Sequence, residues 1–147
     1  MPLKDLLADG HIRRHKTSPE EVADLLRVVD RDLADAEIQQ ISIDRRFATA
    51  YNAALQLATI ALHAAGYRAA GLGHHWVTFQ VLPEIMGPQV QALADYLDSC
   101  RSKRNVSEYD RAGEISNQDI VEILAEVRAF RNDLKIWLGK THPELFI

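Results

Sequence analysis

FATAYNAALQLATIALHAAG, residues 47–66, is the stretch on which the fold turns. Phe47, Tyr51, Ala54, Leu55, Ala58, Leu62 and Ala65 recur at the three- and four-residue steps that place side chains on one face of an α-helix. Ser42 or Asp44 can cap its start, and Gly66 supplies its stop. The alanines let neighbouring helices approach closely, so this segment reads as the central, most buried helix. Asn52, Gln56, Thr59 and His63 interrupt the apolar run, which therefore falls short of a membrane span.

Working outward, Thr17-Ser18-Pro19-Glu20-Glu21 reads as a helix start, with Ser18 as N-cap, Pro19 in the first helical position and Glu21 completing a capping box. Val22, Leu25, Leu26, Val29, Leu33 and Ala36 then form one buried stripe on a helix from about Pro19 to Gln40. Residues 1–17 before it read as a lead-in, polar and basic from His11 to Lys16. On the other side of the central helix, 67–73 reads as a loop and His74 to Ile85 as a short third helix, closed by Gly87-Pro88. Pro88 opens a fourth, with Val90, Leu93, Leu97 and Cys100 on one face. A fifth starts at Ser116, with Asp119 at the acidic capping position, and runs through Ile120, Ile123, Leu124, Val127, Phe130, Leu134 and Trp137 towards Gly139. No segment alternates with period two, so no sheet is expected. Long helices and short connections predict one all-α domain, an up-and-down bundle of about five helices.

A chain of 147 residues is large enough for a single core without disulfides or structural metal. Its lone cysteine, Cys100, reads as a small core residue in a reducing compartment. The first ten residues lack the continuous apolar run of a secretory signal, so a cytoplasmic, non-membrane protein is expected. A net charge of −4 and a pI near 5.8 mean that the overall field does not attract nucleic acid. Contact with RNA would need a local basic patch.

The most informative segment is 101–111, Arg-Ser-Lys-Arg-Asn-Val-Ser-Glu-Tyr-Asp-Arg. The fourth helix's stripe, Leu93, Leu97 and Cys100, continues to Arg104. A four-residue step returns to within about 40° of the same face, so Arg104 points inward or into a cleft. Arg101 borders that face and Lys103 points away. A guanidinium there is costly unless paired. It either pairs with an acidic residue on a neighbouring helix, or is held to meet an anion bidentately, which arginine does better than lysine.

The run Arg-x-Lys-Arg-Asn-x-x-x-Tyr-Asp at the end of the fourth helix of a small helical bundle resembles the HEPN family. Gly66-Tyr67-Arg68, Gly73-His74-His75 and Leu93-Ala94-Asp95-Tyr96-Leu97 fit the same resemblance, which spans roughly Phe47 to Leu138. Active HEPN domains are metal-independent endoribonucleases that commonly dimerise with two motifs facing one cleft. Several are toxins beside a minimal nucleotidyltransferase antitoxin. The resemblance thus implies an RNA-directed module without cofactor or metal, a homodimer, and an antitoxin or nucleotidyltransferase partner. Arg104 matches the family's arginine and Asn105 the polar residue beside it. Tyr109 stands where the family has histidine, and Arg101, Lys103 and Arg111 flank the motif as phosphate contacts. A histidine can take a proton from a ribose 2′-hydroxyl near neutral pH. Tyrosine, titrating near 10, is a poor base but can donate a hydrogen bond to phosphate, stack on a base, or simply pack at the helix end.

Other polar residues carry weaker signals. His74 and His75, as neighbours on a helix, diverge by about 100° and make a poor chelate, so no metal site is expected there. Tyr51 reads as core, and Asn52 and His63 as buried polar groups needing partners. His11, Arg13, Arg14, His15 and Lys16 form a small basic cluster, solvated by default and available for salt-sensitive phosphate contacts. The alternative to an RNA-directed module is a non-catalytic interaction or dimerisation protein, or a pocket for a nucleotide or other anion.

Overall fold

The computed structural model describes residues 2–71, 74–109 and 115–146, with 106–109 described as backbone only. In chain order the elements are α1 (Leu3–Ala8), β1 (Ile12–Arg14), α2 (Pro19–Ala36), α3 (Ile43–Ala64), β2 (Tyr67–Ala69), α4 (His74–Gln80), α5 (Leu82–Met86), α6 (Gln91–Tyr109) and α7 (Asn117–Thr141). Short 3-10 turns at Pro88–Val90 and Pro143–Leu145 complete the path. Among the described residues the fold is all-α apart from one two-stranded ribbon.

Two of the long helices are capped by identifiable side-chain bonds. Ser18 Oγ accepts from the Glu21 amide at 3.1 Å, and Pro19 fills the position where a missing N–H costs nothing. At α7, Ser116 and Asp119 form a reciprocal capping box, with bonds of 3.1 and 2.9 Å. Ser42 occupies the N-cap of α3 without a side-chain bond. Gly66, at φ 98°, takes the left-handed turn after α3.

α3 is the centre of the molecule. Phe47, Ala50, Tyr51, Ala53, Ala54, Leu57, Ala58, Ile60, Ala61 and Leu62 are all buried, and α2, α6 and α7 pack on it. Its alanines supply the close approach, and α7 contributes Ile123, Val127, Phe130 and Leu134 to the same core.

Several expectations are corrected. First, α2 ends at Ala36 rather than near Gln40, because the buried Arg46 donates from Nε to the Ala36 carbonyl at 2.7 Å and takes over its terminal acceptor. Second, the helix expected over His74 to Ile85 is two, α4 and α5, with Pro83 in the opening turn of the second. The helix expected from Pro88 begins with a 3-10 turn and is α-helical only from Gln91. Third, a sheet exists: β1 pairs antiparallel with β2, Ile12 opposite Ala69 and Arg14 opposite Tyr67. Strands of three residues are too short to show a period of two, and the partners are distant in sequence.

The segment before α2 carries α1 and β1. Leu6 and Ile12 are buried with Leu62, Val77 and Val81 in a second, smaller core. The Leu3 amide donates to Glu84 Oε1 at 2.9 Å, tying α1 to α5. Among the described residues, no helix is long and apolar enough to cross a membrane.

Candidate functional site

Arg104, in the C-terminal half of α6, lines an open cleft of about 490 Å³ together with Asp32 from α2 and Arg45, Ala48, Thr49 and Asn52 from the first half of α3. It reaches this cleft because the α6 stripe of Leu97 and Cys100 carries it onto α3. Its guanidinium carbon lies 5.7 Å from the ring centroid of Tyr51, an attraction between cation and ring face. Its Nη1 donates to Asn105 Oδ1 at 3.2 Å, so the two adjacent motif residues hold each other.

The cleft's floor is polar and organised. Asp32 is 4% exposed, and a buried carboxylate needs partners. Asn52 Nδ2 donates to its Oδ2 at 2.6 Å, and Arg31 donates to Oδ1 from Nε and Nη2 at 3.1 and 3.0 Å. Gln56 Nε2 in turn reaches Asn52 Oδ1 at 3.5 Å. Asn52 is therefore a bridge between two helices, the partnered polar group its position requires.

Tyr51 is buried, as a core residue should be, but it also links two sites. Its hydroxyl is 2.9 Å from His75 Nδ1. Burial raises the Tyr51 pKa against the opposing pull of Arg104 and Arg101, so the phenol keeps its proton. Burial also lowers the His75 pKa, with the charges of Arg104, Arg101 and His74 adding to the effect. An imidazole so placed is neutral at neutral pH.

His75 faces a second cleft of about 480 Å³, which Thr59, His63, Arg68, His74 and Thr78 also line. At its edge Glu21 Oε1 lies 2.7 Å from His15 Nε2 and 2.8 Å from His63 Nδ1. Burial raises the Glu21 pKa, but bonds from His15 and Thr17 and the charges of His63 and His15 outweigh it and leave the carboxyl below its usual range. His63 is lowered by burial, against the pull of Glu21.

The remaining motif residues fall in different places. Arg101 is half-buried and pairs with Asp98 one turn back, Nε to Oδ1 2.9 Å. Lys103 is exposed and pairs with Asp119 across to α7 at 3.0 Å. Tyr109 is the last residue of α6, but its side chain, like Arg111, lies outside the described residues. Cys100 is buried, and burial pushes its thiol up to about 11, so it is no nucleophile at neutral pH.

Sequence reading alone does not single out Asp32 or Arg45. A signal for Asp32 exists: it stands three residues after Val29, on the stripe that buries α2. Arg45 shows none, because an exposed arginine in a first helical turn has no local mark of the cleft it borders. Set against protein-family models, curated proteins and solved structures, the chain has no match.

Proposed function

We propose that this protein is an RNA-directed module of HEPN type, in which the Arg104 cleft grips the phosphate backbone. The observation that carries this reading is the placement of Arg104: an arginine at the end of an apolar stripe, resting on Tyr51, coupled to Asn105, and open to a cleft that Arg45 also borders. A planar fork held in one orientation suits bidentate contact with phosphate. Asp32 does not dominate the cleft, because Arg31 and Asn52 already engage both of its oxygens.

In this reading Arg104 stabilises the charge that develops on phosphate during attack by a ribose 2′-hydroxyl, and Asn105 orients the guanidinium. Arg101, Lys103 and Arg111 add backbone contacts, which weaken as salt rises. Tyr109, the residue in the histidine's place, donates a hydrogen bond rather than removing a proton. Two copies facing one another would bring both Arg104 side chains to one strand, and a nucleotidyltransferase-type antitoxin is the partner that the family resemblance suggests.

The test is Arg104→Ala, read by RNA binding and cleavage and by thermal melting. RNA affinity or cleavage should fall at least tenfold, about 1.4 kcal/mol, with little change in Tm. Arg104→Lys should recover only part of the loss, because it restores charge without the fork. If Arg104→Ala instead unfolds and wild-type protein ignores RNA, the arginine is architectural. That outcome would leave the interaction-protein reading in its place, since orphaning a buried charge partner costs roughly 3–5 kcal/mol.

A further inference from the structure

We infer that His15, Glu21 and His63 form a binding site for a divalent cation of zinc type, at the edge of the second cleft. The inference is independent of the RNA reading and asks nothing of Arg104. One nitrogen from each imidazole and one carboxylate oxygen all lie within 4.8 Å of one another. Two imidazoles and a carboxylate are a donor set that zinc and its neighbours in the first transition row accept, with a further position left to water or substrate.

Three separate parts of the fold deliver these ligands, which is why no spacing motif announces them. His15 follows β1 directly, Glu21 sits in the first turn of α2, and His63 in the last turn of α3. The β1–β2 ribbon fixes the first against the third, because the His15 amide donates to the Gly66 carbonyl at 2.9 Å. The two rings lie 4.3 Å apart between centroids, tilted by 47°.

Ordinary hydrogen bonding leaves this cluster incompletely explained. A single oxygen, Glu21 Oε1, has His15 Nε2 at 2.7 Å, Thr17 Oγ1 at 2.8 Å and His63 Nδ1 at 2.8 Å. His63 Nδ1 is buried and, despite that proximity, forms no hydrogen bond of acceptable geometry. A cation between the three atoms would satisfy it. Zinc bonds nitrogen and oxygen at about 2.0–2.2 Å, so tetrahedral ligand atoms stand about 3.3 Å apart. The two Glu21–histidine separations, 2.7 and 2.8 Å, would each open by roughly half an ångström, a movement open to the half-exposed Glu21 side chain. Thr17 would then hold the carboxylate from behind, the outer-sphere role that fixes ligand orientation. Arg68 and Thr59 line the same cleft as His15 and His63.

The full chain, stripped by chelation, is titrated with Zn²⁺ against a chromophoric competitor and with Co²⁺ followed by visible absorption. One equivalent should bind per chain, with the intense bands of low-symmetry, near-tetrahedral cobalt. His15→Ala, Glu21→Gln and His63→Ala should each weaken Zn²⁺ binding at least tenfold, while His11→Ala and His142→Ala leave it unchanged. Because a variant that fails to fold would be uninformative, ring-nitrogen NMR of wild-type protein supplies a second readout. The signals of His15 and His63 should shift on Zn²⁺ addition, and those of His11 and His142 should not. Absence of saturable binding, binding equally strong in the folded triad variants, or shifts at the other histidines instead would show a plain hydrogen-bonded cluster and overturn the site.

Discussion

His75 makes the pH dependence of the protein testable at a single residue. An unperturbed imidazole titrates near 6.5. Burial holds His75 lower, and the neighbouring charges of Arg104, Arg101 and His74 hold it lower still. The unfolded chain therefore binds this proton more readily than the folded one. The associated stability is whole above about pH 6.5 and is lost as pH falls through that value towards the lowered native pKa. Melting temperature should drop between pH 7.5 and 5, and the drop should be shallower in His75→Gln, whose amide can still accept from the Tyr51 hydroxyl. Parallel slopes in the two proteins would mean that His75 is not a source of the acid sensitivity. The same residue illustrates a limit of local reading: beside His74 it resembles half of a poor chelate, and only its contact with Tyr51, on another helix, discloses its role.

Among the elements, α7 depends most visibly on one cap. Ser116 and Asp119 satisfy each other's amides, and Asp119 also meets Lys103 from α6. The backbone bond from Ser116 holds the Asp119 carboxyl below its usual range, against burial and with help from Lys103. Ser116→Ala should cost about 1 kcal/mol, within the range of roughly 0.5–2 for lost caps, measured by urea unfolding. An unchanged midpoint would show that tertiary packing alone sets the start of α7. The two small strands are the opposite case. Nothing within Ile12–Arg14 or Tyr67–Ala69 compels a strand; each exists because the other lies beside it, and because Ile12 is buried under α1 and α4.

For the whole molecule, α3 is the common wall on which the other helices rest. Leu57→Ala, fully buried at its middle, should destabilise the protein by about 2–5 kcal/mol, as cavities in tight cores do. A smaller loss would indicate that the alanine-rich surroundings collapse to fill the gap. The RNA reading adds a prediction of association: light scattering at micromolar concentration should return twice the 16.6 kDa chain mass. A monomer at that concentration would leave each Arg104 to act alone and remove the two-copy cleft. The amino-acid sequence by itself determined the helical class, the central place of α3, the caps at Ser18 and Ser116, and the course of the α6 stripe to Arg104. These follow from hydrophobic periodicity and local hydrogen bonding, which act over a few residues. Tertiary structure alone decided that Asp32 and Arg45 share a cleft with Arg104, that Tyr51 joins Arg104 to His75, that Ile12–Arg14 pairs with Tyr67–Ala69, and that His15, Glu21 and His63 converge. Those contacts join positions far apart in the chain, and a side chain's own neighbourhood carries no record of which distant group the packing of helices will bring against it.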